Sequence, residues 1–171
     1  MIDVGVLLGG SPSNGVGLWR PPEGVAEGLA SLGFRPVLID GVTGTPSSLD
    51  WVISVDPGAW RRDLARDLSH HLGPSGRFMV ALSSRQRREG TRCLKDEGLV
   101  PTAVYGASPD LPEGVALVDL DDPVAARCFF SVAAFPWSRR DAVRRVLAPA
   151  ATRAGLTSLL FGSVLVVGRR G

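Results

Sequence analysis

The sequence is poor in lysine and cysteine, and neither charge sign dominates it. Lys95 is the only lysine among 19 basic residues, and the net charge is +2. This balance excludes the strongly basic footprint of a nucleic-acid-binding protein, so no nucleic-acid partner is expected. The two cysteines, Cys93 and Cys128, lie far apart in helix-like segments, which excludes a disulfide framework.

Long apolar runs and signal-like features are also missing. No apolar run approaches the roughly 18 to 20 residues that a membrane-spanning helix needs, so no transmembrane segment is predicted. The start at Met1 lacks the basic region and apolar stretch of a secretory signal. We therefore expect a cytoplasmic protein.

Several catalytic signatures are absent as well. The sequence has no Gly-x-Ser-x-Gly nucleophile elbow and no phosphate loop ending in Gly-Lys-Ser/Thr. His70 and His71 are adjacent but have no partner at metal-ligand spacing, so no metal site is predicted. These absences argue against serine hydrolases, P-loop nucleotidases and metalloenzymes.

What is present is an alternation of apolar runs with helix-period segments in a chain of 171 residues, 44% of them hydrophobic. This length and composition predict a single domain, residues 1–171. Continuous apolar strands between amphipathic helices predict an α/β fold with three αβα layers and a mainly parallel, Rossmann-like sheet of about six strands. A helical insertion, about residues 121–161, is expected before the last strand. The predicted strands are 4–8, 35–39, 49–55, 77–82, 100–105 and 163–167; the predicted helices are 25–32, 59–72, 85–97, 123–130 and one from 139 that Pro149 interrupts or ends.

Three blocks of sequence resemble the class I S-adenosylmethionine-dependent methyltransferases. Residues 25–40, VAEGLASLGFRPVLID, are similar to the first helix and second strand of that family. Residues 49–82 are similar to its fourth strand, the following helix and a fifth strand introduced by Leu-x-Pro-Gly-Gly, here Leu72-Gly73-Pro74-Ser75-Gly76. Residues 94–105, LKDEGLVPTAVY, resemble the family's l-x-x-a-G-f-x-x-v-x-v-y segment. Together these blocks cover roughly half of the chain.

The resemblance implies S-adenosylmethionine as cofactor and assigns roles to five residues. Asp40 matches the acidic residue that holds the cofactor's ribose hydroxyls, and a carboxylate suits a vicinal diol because it accepts two charge-assisted hydrogen bonds. Gly9, Gly10 and Ser11 follow the predicted first strand and are expected near the methionine moiety. Asp56 follows the fourth-strand equivalent and is the candidate catalytic residue beside a methyl acceptor, expected to be a small molecule or a glycan.

The sequence also departs from the family pattern. Gly9-Gly10 replaces the usual acidic residue and G-x-G loop, residues 11–20 are expected to lengthen that loop, and residues 41–48 leave no room for a third strand. These departures keep a second hypothesis open: a non-catalytic accessory protein that retains the fold without cofactor binding and binds a partner protein. Phe129, Phe130 and Phe135, if exposed, would also drive homo-oligomerisation.

Overall fold

The computed structural model describes residues 15–41, 48–108, 111, 116–132 and 139–171. In this part of the chain seven strands form one sheet: β1 (Val16–Trp19), β2 (Pro36–Ile39), β3 (Leu49–Ser54), β4 (Leu72–Ser83), β5 (Leu99–Ser108), β6 (Ala116–Asp119) and β7 (Ser163–Arg170). Five α-helices accompany them: α1 (Val25–Ser31), α2 (Arg62–His71), α3 (Arg87–Asp96), α4 (Pro123–Val132) and α5 (Arg139–Arg153). Short 3-10 helices span Pro57–Ala59 and Thr157–Leu160.

The strand order across the sheet is β2-β1-β3-β4-β7-β5-β6. The β1–β2, β1–β3 and β3–β4 pairs are parallel, whereas β4–β7, β5–β7 and β5–β6 are antiparallel. The α/β class is confirmed. Five of the seven described strands, β1 to β5, run in one direction, and the antiparallel pairs arise because β6 and β7 run against them. Apolar runs alone do not reveal that β7 lies between β4 and β5.

Side chains of the central strands alternate between two apolar cores, as a sheet covered on both faces requires. In β4, Phe78, Val80 and Leu82 join the core beneath α2 and α3, while Met79 and Ala81 join the core on the α1 side. All five are fully buried.

The amphipathic pattern of the second predicted helix is confirmed in α2. Leu64 and Leu68 are fully buried, whereas Arg62 and Arg66 are exposed. Asp67, on the same helix, is only 5% exposed although its side chain is ionisable. Burial raises the pKa of its carboxyl group above the ordinary value, and the like charge of Asp63 acts in the same direction.

The predicted helical insertion is present as α4 and α5, between β6 and β7. A third apolar cluster holds it to the sheet, with Phe161 at its centre, 5.9 Å from the ring of Phe129 and 5.3 Å from that of Phe130. These two phenylalanines are half-buried, because the insertion folds back onto Phe161, two residues before β7. Phe135 lies outside the described residues. No helix in the described segments is long and apolar enough to cross a bilayer.

Three local predictions are wrong. Val16–Trp19, expected within a lengthened loop, is strand β1, paired in parallel with both β2 and β3. Gly73–Gly76, expected to end a helix as a turn, belongs to β4, which starts at Leu72 opposite Leu49 and shifts register before Arg77. Pro149 neither ends nor divides α5, which runs through it to Arg153. The predicted strand at 4–8 lies outside the described residues.

Candidate functional site

The carboxyl ends of three parallel strands meet at one edge of the sheet. Trp19 of β1 is in register with Ile39 of β2, and Leu18 with Ile53 of β3, so Arg20, Asp40 and Val55 follow neighbouring strand ends. In open α/β sheets, ligands bind outside the carboxyl ends of the strands. This edge is therefore the candidate site.

Asp40 is the first candidate ligand-binding residue at this edge. Its side chain is 85% exposed, and its Oδ1 accepts a hydrogen bond from Nε of Arg20 at 3.3 Å. The guanidinium of Arg20 also lies 5.8 Å from the ring centroid of the buried Trp19. A solvent-facing carboxylate therefore stands where the sequence predicts a ribose ligand, and a cation stands beside it.

Arg20 has an unusual backbone conformation. With φ of 41° it is the one non-glycine residue at positive φ in the described part of the chain. That region is rarely occupied by residues other than glycine, asparagine and aspartate, and such outliers concentrate at functional sites. Arg20 is not among the residues predicted from sequence, because residues 11–20 read as a loop. The available signal was the Pro21-Pro22 pair, which marks an element boundary directly after Arg20.

The backbone next to Asp40 is held by α2. Nε2 of His71, on a ring that is only 7% exposed, lies 3.1 Å from the carbonyl oxygen of Gly41. In the tautomer protonated at Nε2, the imidazole donates to that carbonyl. A buried histidine therefore fixes the residue that follows the candidate ligand, a positioning role that the sequence analysis did not assign.

Asp56 lies beyond the end of β3 and caps the 3-10 helix Pro57–Ala59. Its Oδ1 accepts a hydrogen bond from the backbone N–H of Gly58 at 2.8 Å. This capping contact explains structurally why an aspartate precedes Pro57, and the catalytic role of Asp56 stays a prediction.

Ser54, at the end of β3, has a buried hydroxyl close to the candidate site. Its Oγ has no hydrogen-bond partner among the described residues, so it is an unsatisfied polar group.

Gly9, Gly10 and Ser11 lie outside the described residues, and their cofactor-binding role stays a prediction. The first described strand ends at Trp19, so the turn from the first strand to the first helix consists of Arg20 to Gly24. Within the described segments, no three His, Cys, Asp or Glu side chains gather as metal ligands would.

Solved structures share this arrangement of strands and helices. Geranyl diphosphate C-methyltransferase from Streptomyces coelicolor A3(2), solved with Mg²⁺, geranyl diphosphate and S-adenosylhomocysteine, matches with a TM-score of 0.54 at 14% identity, over 96% of this chain and 76% of that one. A geranyl diphosphate methyltransferase solved with sinefungin gives 0.53 at 13%, over 96% and 74%. Phosphoethanolamine N-methyltransferase 2 from Haemonchus contortus gives 0.52 at 12%, over 98% of this chain and 52% of that enzyme.

The chain has the fold of the class I S-adenosylmethionine-dependent methyltransferases. No family model and no curated protein matches the sequence. The expected resemblance is therefore confirmed at the level of the fold, which is what identities of 12 to 14% establish.

The described residues of this methyltransferase-like fold fit the ribose end of S-adenosylmethionine better than its amino-acid end. Asp40 offers an exposed carboxylate at the end of the second strand, and the buried Oγ of Ser54 is a hydrogen-bonding group still without a partner. The turn after β1, by contrast, contains Pro21 and Pro22, which have no backbone N–H to offer a ligand. The described residues at this edge therefore offer a hydrogen-bonding group suited to a ribose and few backbone donors suited to an amino-acid moiety.

Proposed function

We propose that this protein binds S-adenosylmethionine at the carboxyl ends of β1, β2 and β3 and transfers its methyl group to a small-molecule or glycan acceptor. The observation that carries the proposal is the position of Asp40: an exposed carboxylate directly after β2, one strand from the end of β1. Two of the solved proteins that share this fold hold S-adenosylhomocysteine together with a small phosphorylated compound, geranyl diphosphate in one and phosphomonomethylethanolamine in the other, which supports a small-molecule acceptor.

When bound, S-adenosylmethionine supplies a methyl group on an already reactive sulfonium, so the protein's task is mainly to position it. Asp40 holds the ribose hydroxyls, and His71 keeps the neighbouring backbone of Gly41 in place. Asp56, at the end of β3, stands beside the acceptor. Gly9, Gly10 and Ser11, which lie outside the described residues, are the residues that the resemblance assigns to the methionine moiety.

The ion pair between Arg20 and Asp40 is weak enough for a ligand to displace. Both side chains are substantially exposed, 44% and 85%, and the Nε to Oδ1 distance is 3.3 Å. Exposed pairs of this kind contribute between 0 and about 1 kcal/mol. Giving up the pair would therefore weaken ligand binding by no more than about fivefold.

Isothermal titration with S-adenosylhomocysteine and S-adenosylmethionine tests the proposal. Asp40→Asn should weaken binding by about 10- to 100-fold, since hydrogen bonds to a charged group contribute about 1.5 to 3 kcal/mol. Asp96→Asn is the matched control: Asp96 is also exposed and lies 3.9 Å from an arginine, Arg92, but on the surface of α3. It should bind as the wild type does. Absence of heat and of thermal stabilisation at millimolar ligand would contradict cofactor binding.

The turn after β1 favours a second candidate, a non-catalytic accessory protein that binds a partner. There, Arg20 neutralises the ribose-binding carboxylate, and Pro21 and Pro22 replace N–H donors. In this case neither nucleoside would bind, and Asp40→Ala would leave function in cells intact. Light scattering coupled to size-exclusion chromatography would report self-association in the same experiment series.

A further inference from the structure

A cavity opens beside the carboxyl end of β4, the strand that pairs in parallel with β3. It has a volume of about 690 Å³ and is lined by residues from the start of α3, by Val104 of β5 and by residues of the 3-10 helix that follows α5. Small-molecule sites typically measure about 300 to 1,000 Å³. The cavity is therefore large enough for an organic ligand, and neither Asp40 nor Asp56 is among the described residues that line it.

Three arginines give this cavity its charge. Arg85, Arg87 and Arg88 all line it, and among the described residues no carboxylate forms an ion pair with any of them. Glu89, the acidic residue next to them, pairs with Arg62 instead, with Nη2 and Oε1 at 2.7 Å. Three uncompensated cations at one concave surface repel one another, and an anion between them would remove that repulsion.

The segment that carries these arginines is held in place before any ligand arrives. Oγ of Ser83 donates to Oε1 of Gln86 at 2.7 Å, and the backbone N–H of Ser84 donates to the carbonyl of Gly162 at 3.1 Å. These contacts fix the turn between β4 and α3 at both of its ends. A preorganised cationic surface loses less entropy on binding than a flexible one.

The lining of the cavity also includes apolar side chains. Leu156 and Leu159, at the 3-10 helix, are 41% and 60% exposed, and Val104 of β5 lines the cavity with them. A cavity lined by both arginines and exposed leucines matches a ligand with a charged head and an apolar portion. Guanidinium groups bind phosphate through paired N–H donors, which favours phosphate as the head.

We propose that this cavity binds a small amphipathic phosphate ester, with the phosphate on Arg85, Arg87 and Arg88 and the apolar portion against Leu156 and Leu159. The proposal does not depend on cofactor binding. Its test needs neither S-adenosylmethionine nor an activity.

Titration calorimetry and thermal melting with three probes test the chemistry. The probes are n-octyl phosphate below its micellar concentration, inorganic phosphate, and octyltrimethylammonium, which has the same chain and the opposite charge. The wild type should bind n-octyl phosphate at least tenfold more tightly than inorganic phosphate and should not bind the ammonium probe. Equal binding of both octyl compounds would overturn the proposal, since it would show apolar adsorption alone.

Charge-matched variants test the location. The triple variant R85Q/R87Q/R88Q should lose at least tenfold in affinity for n-octyl phosphate. The control R61Q/R66Q/R92Q removes the same charge from exposed arginines that do not line the cavity, and it should bind as the wild type does. Equal losses in the two variants would overturn the proposal in favour of non-specific attraction to a basic surface.

Leu159→Asn separates the two parts of the ligand. It should reduce affinity for n-octyl phosphate severalfold and leave that for inorganic phosphate unchanged, and because Leu159 is 60% exposed the variant should fold. If the triple variant shows no melting transition, the single variant R87Q makes the same comparison. Unchanged binding of n-octyl phosphate to R87Q and to Leu159→Asn together would refute the assignment.

Discussion

Gly168 is the position in the sheet where a single methyl group should have the clearest effect on stability. It lies in β7, opposite Phe78 of β4 on one side and Pro101 of β5 on the other. A Cβ at residue 168 would come within 3.0 Å of Cζ of Phe78 and of the carbonyl oxygen of Val100. Phe78 is fully buried and Val100 contributes backbone, so neither neighbour can move aside without disturbing the core.

Gly168→Ala should therefore destabilise the fold by about 1 to 3 kcal/mol, the usual cost of overpacking a core. For a protein of this size, 1 kcal/mol corresponds to about 2 to 4 °C in melting temperature, so a decrease of about 4 to 8 °C is expected for a 2 kcal/mol effect. Differential scanning calorimetry and urea unfolding measure both quantities.

Gly28→Ala is the matched control for this prediction. Gly28 lies inside α1, and a Cβ there would meet no atom within 4 Å. Alanine is about 0.5 to 1 kcal/mol more favourable than glycine in a helix, so this variant should melt slightly above the wild type. A Gly168→Ala protein as stable as Gly28→Ala would refute the described packing of β7 between β4 and β5.

Two further substitutions concern α2. Asp67→Asn should flatten the pH dependence of stability: the folded pKa of Asp67 is raised by burial and by Asp63, so its contribution is complete below the ordinary value of 3.8 and is lost as pH rises through the raised pKa. Urea unfolding measures the free energy of unfolding at pH 4 and at pH 7. Its decrease between the two pH values should be smaller for Asp67→Asn than for the wild type, and equal decreases would contradict the raised pKa of Asp67. His71→Phe keeps an aromatic ring but removes the hydrogen bond to the carbonyl of Gly41. Because the backbone next to Asp40 is then no longer fixed, S-adenosylhomocysteine should bind severalfold more weakly. Unchanged affinity by calorimetry would refute a positioning role for His71.

The sequence predicts most of the central sheet because its apolar runs are long and the intervening helices are periodic. The strand predicted at 49–55 is observed as Leu49–Ser54, and the one at 163–167 as Ser163–Arg170. In α2, the spacing of Leu64 and Leu68 predicts the buried face. The spacing of apolar residues along a strand or helix indicates which of its faces is buried. Both strands and α2 are largely buried on at least one face, so this signal predicts all three.

Strand β1 could not be predicted from the same signals. It has only four residues, Val16–Trp19, and one of them, Gly17, is a residue that strands usually avoid. Glycine is required there by packing, since a Cβ at 17 would come within 3.0 Å of the side chains of Ile39 and Leu49. That requirement arises from β2 and β3, which flank β1 in the sheet, and neighbours in space are not visible in a local window of sequence.

The helix through Pro149 shows a different limit. Proline removes one intrahelical donor and crowds the preceding turn, so a break is the sound expectation for an isolated segment. In α5 the helix continues to Arg153, and Ala148 and Ala151 on either side of the proline pack into the third apolar cluster. Tertiary packing here outweighs a local preference that costs about 3 kcal/mol.

The candidate site depends on far fewer residues than the fold does. For this reason the fold can be predicted from the sequence more completely than the site. At 14% identity the strand framework is retained, because apolar side chains of many kinds can fill the two cores. A ligand site has no such tolerance: the turn Arg20-Pro21-Pro22 after β1 lacks two backbone donors and carries a charge, and neither feature affects the strand order. Under the proposed function, cofactor binding is therefore decided by how Asp40 partitions between Arg20 and a ribose diol. The ion pair contributes up to about 1 kcal/mol and the hydrogen bonds to the diol about 1.5 to 3 kcal/mol, so these magnitudes favour the ligand.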